Sequence, residues 1–354
     1  MTSDAVAMAD TAGGRPAIRP LVARLRDTLD GAAALGREFD TQAAHSLHDL
    51  IMPPAIRAVL HGKSRVAIVT SDALSRIPFS VLLASRPENG SDFAAINWAV
   101  RHHAFSTALT PSSAFSGSDE SANIESFLGI GVPAQGSEID SNGPAFRGAL
   151  YSGADLEVLP ALPGAVAEIA AVAKASRAAQ TRVLSGALAS ERQVRNEIRT
   201  PADIVLFATH GLVAGEIGGL REPALVLSRP EEAEDGEDDG FLLASEIAAL
   251  DFGSDLVILS ACNSAAGRSG TAPAYTGLAN AFLSAGSRNL MLSHWRVRDD
   301  AAAQLTAGAV EAAAAGGDFA FALQKAQLRM LDEARDGTAF AHPAFWAPYI
   351  VIGD

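Results

Sequence analysis

DIVLFATHG (203–211) and DLVILSACNS (255–264) are two apolar, β-branched runs, each broken by Gly or Ser soon after its last aliphatic residues. Runs of this length without polar alternation fit central strands covered on both faces. Each delivers a reactive side chain just past its apolar stretch, His210 in the first and Cys262 in the second. In a parallel sheet the carboxyl ends of the strands share one edge, where ligands and catalytic groups collect. The two runs therefore predict a fold and, at the same edge, a site.

The chain on either side supports an α/β reading. Upstream, helix-like spacing covers 21–35 and 42–60, with Pro53-Pro54 ending one helix and starting the next. Residues 1 to about 17 read as a flexible tail. RVAIVT (65–70) is a short strand, and IPFSVLL (77–83) joins it as a second apolar run. ESFLGIGVP (125–133) is another strand, GAVAEIAAVAKAS (164–176) a helix, TRVLSG (181–186) a strand, and SERQVRNEI (190–198) a helix that Ser190 caps with Gln193 three residues on. Downstream come GLANAFLSAG (277–286), a helix closed by Gly286, the strand SRNLMLSHW (287–295), Ala-rich helices over about 299–315 and 318–334, and a last strand, WAPYIVIGD. Strands alternating with helices predict a mostly parallel central sheet flanked by helices.

Composition narrows the function. With 27 basic and 41 acidic residues the net charge is -14, which repels a phosphate backbone, so no direct nucleic-acid partner is expected. No apolar run approaches the roughly 20 residues that span a bilayer, and MTSDAVAMADTAGGRP has no basic segment leading into an apolar core; no membrane partner and a cytoplasmic location are expected. The acidic run EEAEDGEDD (231–239) reads as a solvated loop. One cysteine excludes an internal disulfide and any multi-cysteine metal site. His102-His103 has no further ligand at suitable spacing, so neither a metal nor any other cofactor is expected. No GxSxG elbow between strand and helix points to a serine hydrolase.

The lone thiol and the histidine suit acyl transfer. A free thiol, pKa ~8.5, is only a few per cent thiolate near neutral pH; an adjacent imidazole raises that fraction and later protonates the leaving amine. Gly211, with no side chain, lets its N–H approach a developing oxyanion, with the N–H of Cys262 as the second donor. Taken singly, a buried structural cysteine and a satisfied histidine are the commoner cases. Their equivalent positions, 52 residues apart, match the spacing of about 50 residues in caspases.

Five ordered strings, FATHG (207–211), LSACNS (259–264), GLANAFLSAGSRNLMLSHWRVRDD (277–300), ALQKAQL (322–328) and HPAFWAPYIVIGD (342–354), closely resemble the CHAT domain, a branch of the caspase, separase and gingipain-like peptidases. SRVAIVTSDALSRIPFSVLL (64–83) looks like the domain's opening segment, so the resemblance spans about 45–354. It implies a caspase-like α/β sandwich: a tail and N-terminal helix over 1–44, an inactive caspase-like lobe over 45–180, and an active protease lobe over 181–354. It also carries the catalytic dyad onto His210 and Cys262. The implied partners are a protein substrate, with a gasdermin-like pore former of bacterial antiviral defence as the leading candidate, and a regulatory partner protein. A catalytically silent regulatory scaffold of the same fold is the alternative. Many members read SACET where Asn263 and Ser264 follow the cysteine here, and SLWPVDD where this chain has SHWRVRDD, with His294 and Arg296 flanking Trp295. In the related separases an acid after an LW-x-V-x-D string receives the arginine before the scissile bond. Asp299 holds the matching position, so a substrate pocket with Asp299, near Trp295, and a basic preference are expected. Against that stand Asp299 or Asp300 as a cap of the helix beginning there, and Trp295 as a core aromatic.

Overall fold

In a computed structural model of the chain, the described residues are 7–11, 13–29, 37–70, 72–88, 90, 92–113, 123–131, 162–215, 220–230, 238–260, 276–295, 297–333 and 339–353. Three helices lead in: α1 (Gly14–Leu29), α2 (Thr41–Ile51) and α3 (Pro54–Leu60). The first begins earlier than the 21–35 spacing placed it. Ile18, Val22, Leu25 and Leu29 recur at helical spacing and are buried on one face, which holds the helix together across Pro20.

The main sheet is built from β1 (Arg65–Ile68), β2 (Ala104–Thr107), β3 (Ser126–Gly131), β4 (Gln180–Ser185), β5 (Ile204–Ala208), β9 (Leu256–Leu259), β10 (Asn289–Ser293) and β11 (Tyr349–Gly353), in the order β1-β2-β11-β10-β9-β5-β3-β4. Every neighbouring pair is parallel except β10 and β11. The sheet thus joins two parallel blocks running in opposite senses. Strands from both sides of residue 180 share it. A small antiparallel sheet, β6 (Gly211–Leu212), β7 (Ala224–Val226) and β8 (Phe241–Leu243), follows directly from β5.

Strand alternation sorts the core into two layers. Ile204, Leu206, Ile258 and Met291 face a layer packed under α1, α4 (Pro163–Ser176), α8 (Asp299–Ala314) and α9 (Phe319–Glu333). Val205, Phe207, Val257 and Leu259 face the other, with Phe252 and Phe282, under α5 (Glu191–Glu197), α6 (Ala244–Ala248) and α7 (Thr276–Ser284). All four residues of β9 and all five of β5 are buried, as uninterrupted apolar runs predict.

Two local signals hold at residue level. Ser190 accepts the Gln193 N–H at 3.4 Å as the cap of α5, and Gly286 takes φ +87° after α7. The run 77–83 instead holds one tight 3-10 turn, Phe79–Val81, which follows another at Asp72–Arg76 and leads into buried Leu82 and Leu83. Pro78 has no N–H for a ladder, and a short buried apolar run carries no period to distinguish strand from turn.

Candidate active site

His210 lies two residues past β5 and is 4 % exposed. Its backbone is fixed from the small sheet: its carbonyl accepts the Val226 N–H at 2.9 Å, and the Thr209 hydroxyl donates to the Val226 carbonyl. Gly211 pairs with Leu225, and the bond from Val226 to His210 marks this as a non-hydrogen-bonded antiparallel pair. The Gly211 N–H therefore points away from β7.

Cys262 and Arg296 lie outside the described residues, as do 231–237 of the acidic run. Two peptide units separate Cys262 from Ser260, which is described. Phe207 pairs with Leu259 in the β5–β9 register, and the Ser260 N–H continues that ladder to the Phe207 carbonyl at 2.9 Å. The structure thus brings the ends of the His210 and Cys262 strands side by side.

Asp299 opens α8 but caps a different helix. One carboxylate oxygen accepts the Gly164 N–H at 2.9 Å, in the first turn of α4, whose N-cap Leu162 makes no side-chain bond. A Cβ at residue 164 would collide with Asp299, so glycine is required there. Asp300 instead pairs with Arg298 at 2.6 Å. Trp295 is 1 % exposed and its indole N–H donates to the Ala344 carbonyl at 2.9 Å, which places it in the core.

Three features were not visible in the sequence. Arg26 of α1 donates to the His294 carbonyl at 2.9 Å and lies over the Trp295 ring at 5.4 Å. Burial, with Arg26 as the lesser cause, pulls the His294 imidazole down to about 3, so it is neutral at physiological pH. The Ser260 hydroxyl shares a 2.9 Å hydrogen bond with the Tyr349 hydroxyl, 89 residues away. No periodicity announces such pairs, because they depend on strand order.

Near the end of the acidic run Asp239 is exposed, but Asp238 is not solvated as the sequence implied. Asp238 is buried at φ +107° and accepts the Arg192 N–H at the start of α5 at 3.2 Å, while Glu191 accepts the Gly240 N–H at 3.0 Å. A helix N-terminus favours nearby carboxylates, which explains the anchoring. Burial pushes Glu191 up to about 7. His102 and His103 are engaged by the Asn97 amide oxygen and the Lys63 carbonyl, each at 2.6 Å. Among the described residues no group of three or more His, Cys, Asp and Glu could hold a metal ion, and no helix is long and apolar enough to cross a membrane.

Against known families, the model for the CHAT domain matches residues 41–354. No curated protein matches. Among solved structures, the Arg-specific cysteine proteinase gingipain R superposes with TM-score 0.50 at 10 % identity, covering 97 % of this chain and 75 % of that one. A complex of Porphyromonas gingivalis RgpB pro- and mature domains gives TM-score 0.46 at 9 % identity, covering 95 % and 75 %.

Proposed function

The chain belongs to the CHAT domain family and has a caspase-like fold, and from that premise we propose that it is a cysteine endopeptidase with His210 and Cys262 as its dyad. The observation that carries the reading is the β5–β9 register: Phe207 lies opposite Leu259 and the Ser260 N–H bonds the Phe207 carbonyl, so the described ends of the strands that lead to the histidine and to the cysteine lie side by side.

The chemistry follows from those groups. His210 takes the Cys262 proton, and the thiolate attacks the scissile carbonyl. The resulting oxyanion is received by the N–H groups of Gly211 and Cys262. Collapse breaks the C–N bond, the imidazolium gives its proton to the leaving amine, and a thioester remains. Water, deprotonated by His210, then releases the acid and restores the thiol.

The finer reading is a preference for a basic residue before the cut, with Asp299 as receiver. Gingipain R is described as Arg-specific. Asp299 already serves Gly164 through one oxygen, so this role would be added to a structural one. A gasdermin-like pore former of bacterial defence is the finer substrate proposal.

Reporter peptides ending in Arg, Lys or Asp before the cleaved bond, given to wild type, His210→Ala and Cys262→Ala, test the proposal. Cleavage by wild type alone is expected, with Arg or Lys reporters preferred. Cleavage confined to the Asp reporter would sink the basic pocket, and no cleavage of any reporter or of a gasdermin-like protein would favour the silent scaffold.

A further inference from the structure

Three hydroxyls line up where the chain leaves the sheet toward position 262. Ser293 pairs with Tyr349 between β10 and β11, and Leu292 with Leu259 between β10 and β9, so Ser260, Ser293 and Tyr349 occupy one rung across three adjacent strands. Tyr349 shares the core layer of Ile258 and Met291, the face to which alternation also turns Ser260 and Ser293. All three are at most 2 % exposed. Tyr349 and Ser260 are not on neighbouring strands; the phenol ring reaches over Ser293, two strand spacings of about 4.8 Å each, to meet the Ser260 hydroxyl at 2.9 Å. A small residue at 293 gives it passage.

We propose that Tyr349 is a positioning residue for Cys262, acting through the Tyr349–Ser260 hydrogen bond; the inference rests on the proposed dyad. Ser260 lies two residues before Cys262 in the chain, and its backbone N–H is committed to Phe207 of the histidine strand. Its side chain is tied to β11 on the opposite flank. The residue is thereby held from both sides, at the point that sets where the next two residues go. An antiparallel strand suits this task. Because β11 runs against β10, its first residue, rather than its last, stands at the carboxyl edge of the catalytic strands. An aromatic ring adds stiffness, since a phenol on two torsions reaches a fixed point at low entropic cost.

The chain's single cysteine makes this testable without a known substrate. Iodoacetamide alkylation, followed by mass spectrometry over pH 5–10, reads the thiolate fraction of Cys262 directly. Wild type, His210→Ala, Tyr349→Phe, Ser260→Ala and Ser260→Thr are compared, each with a circular-dichroism check of folding. Tyr349→Phe and Ser260→Ala are expected to move the alkylation profile toward the ordinary thiol range near ~8.5, slowing the reaction at pH 6.5 by about threefold or more. The double variant should be no worse than either single one, and Ser260→Thr should keep the wild-type profile. If both single variants fold and superimpose on wild type while His210→Ala shifts, the hydrogen bond is only structural and the inference is overturned. If His210→Ala leaves the profile unmoved, the dyad itself is wrong and the inference falls with it.

Discussion

Glu191 keeps its proton to about 7 because burial penalises the charged carboxylate more than the Gly240 N–H and Arg195 favour it, with Glu246 and Asp239 adding repulsion. The reference value for the unfolded chain is 4.5. The folded state therefore binds the extra proton between those values, so the contribution is full below about 4.5 and declines as pH rises through about 7. Glu191→Gln resembles the protonated form. Its melting temperature should gain on wild type between pH 5 and pH 8, and a constant difference across that window would contradict the assignment. Asp299 separates two roles in one side chain. Asp299→Asn keeps an oxygen for the Gly164 N–H and should hold stability, whereas Asp299→Ala should lose about 1 kcal/mol in urea unfolding. If the acid also receives a basic substrate group, Asn alone should abolish an Arg preference. The position of His210 just past a buried strand was legible in the sequence because it follows an apolar run and precedes a glycine. The Asp299–Gly164 bond was not, since the acid opens one helix and caps another 135 residues away.

At the scale of elements, the histidine strand depends on its neighbour's lack of a side chain at one position. A Cβ on Gly131 of β3 would lie 2.5 Å from the Ala208 carbonyl oxygen, two residues before His210. Gly131→Ala should cost about 1–3 kcal/mol by overpacking and displace the end of β5. Denaturant midpoints alongside alkylation rates of Cys262 would register both effects; wild-type values for both would count against so tight a contact. On the far side, α1 buries Leu25 completely and holds the β10–α8 connection through Arg26. Leu25→Ala should therefore cost about 2–5 kcal/mol, measurable by the same unfolding. β5 and β9 could be read from sequence because they are continuous β-branched runs. The 79–81 turn could not, because burial removed the polar punctuation that separates a strand from folded-back chain. The entry of β11 between β10 and β2 was equally invisible: a strand's own residues do not encode its neighbours.

Across the whole molecule, two parallel blocks meet back to back, and their junction brings β9, β10 and β11 together where the proposed nucleophile leaves the sheet. His294, buried at that junction and pulled down to about 3, works on stability in the opposite sense to Glu191: its contribution is present above the unfolded value of 6.5 and is lost as pH falls. The two together place maximum stability between acid and neutral pH. The fold class was legible because it follows from the alternation of strands and helices along the chain. Of the candidate site only the two adjoining strand ends were legible, since the residues that hold them come from distant segments. The most direct measurement is mass spectrometry of new N-termini after wild type, His210→Ala and Cys262→Ala are each incubated with a library of protein-derived peptides. New termini with the wild-type protein, absent with both variants, are the result predicted here. Cleavage that persists in Cys262→Ala, or none with the wild type, would contradict the assignment of a cysteine endopeptidase.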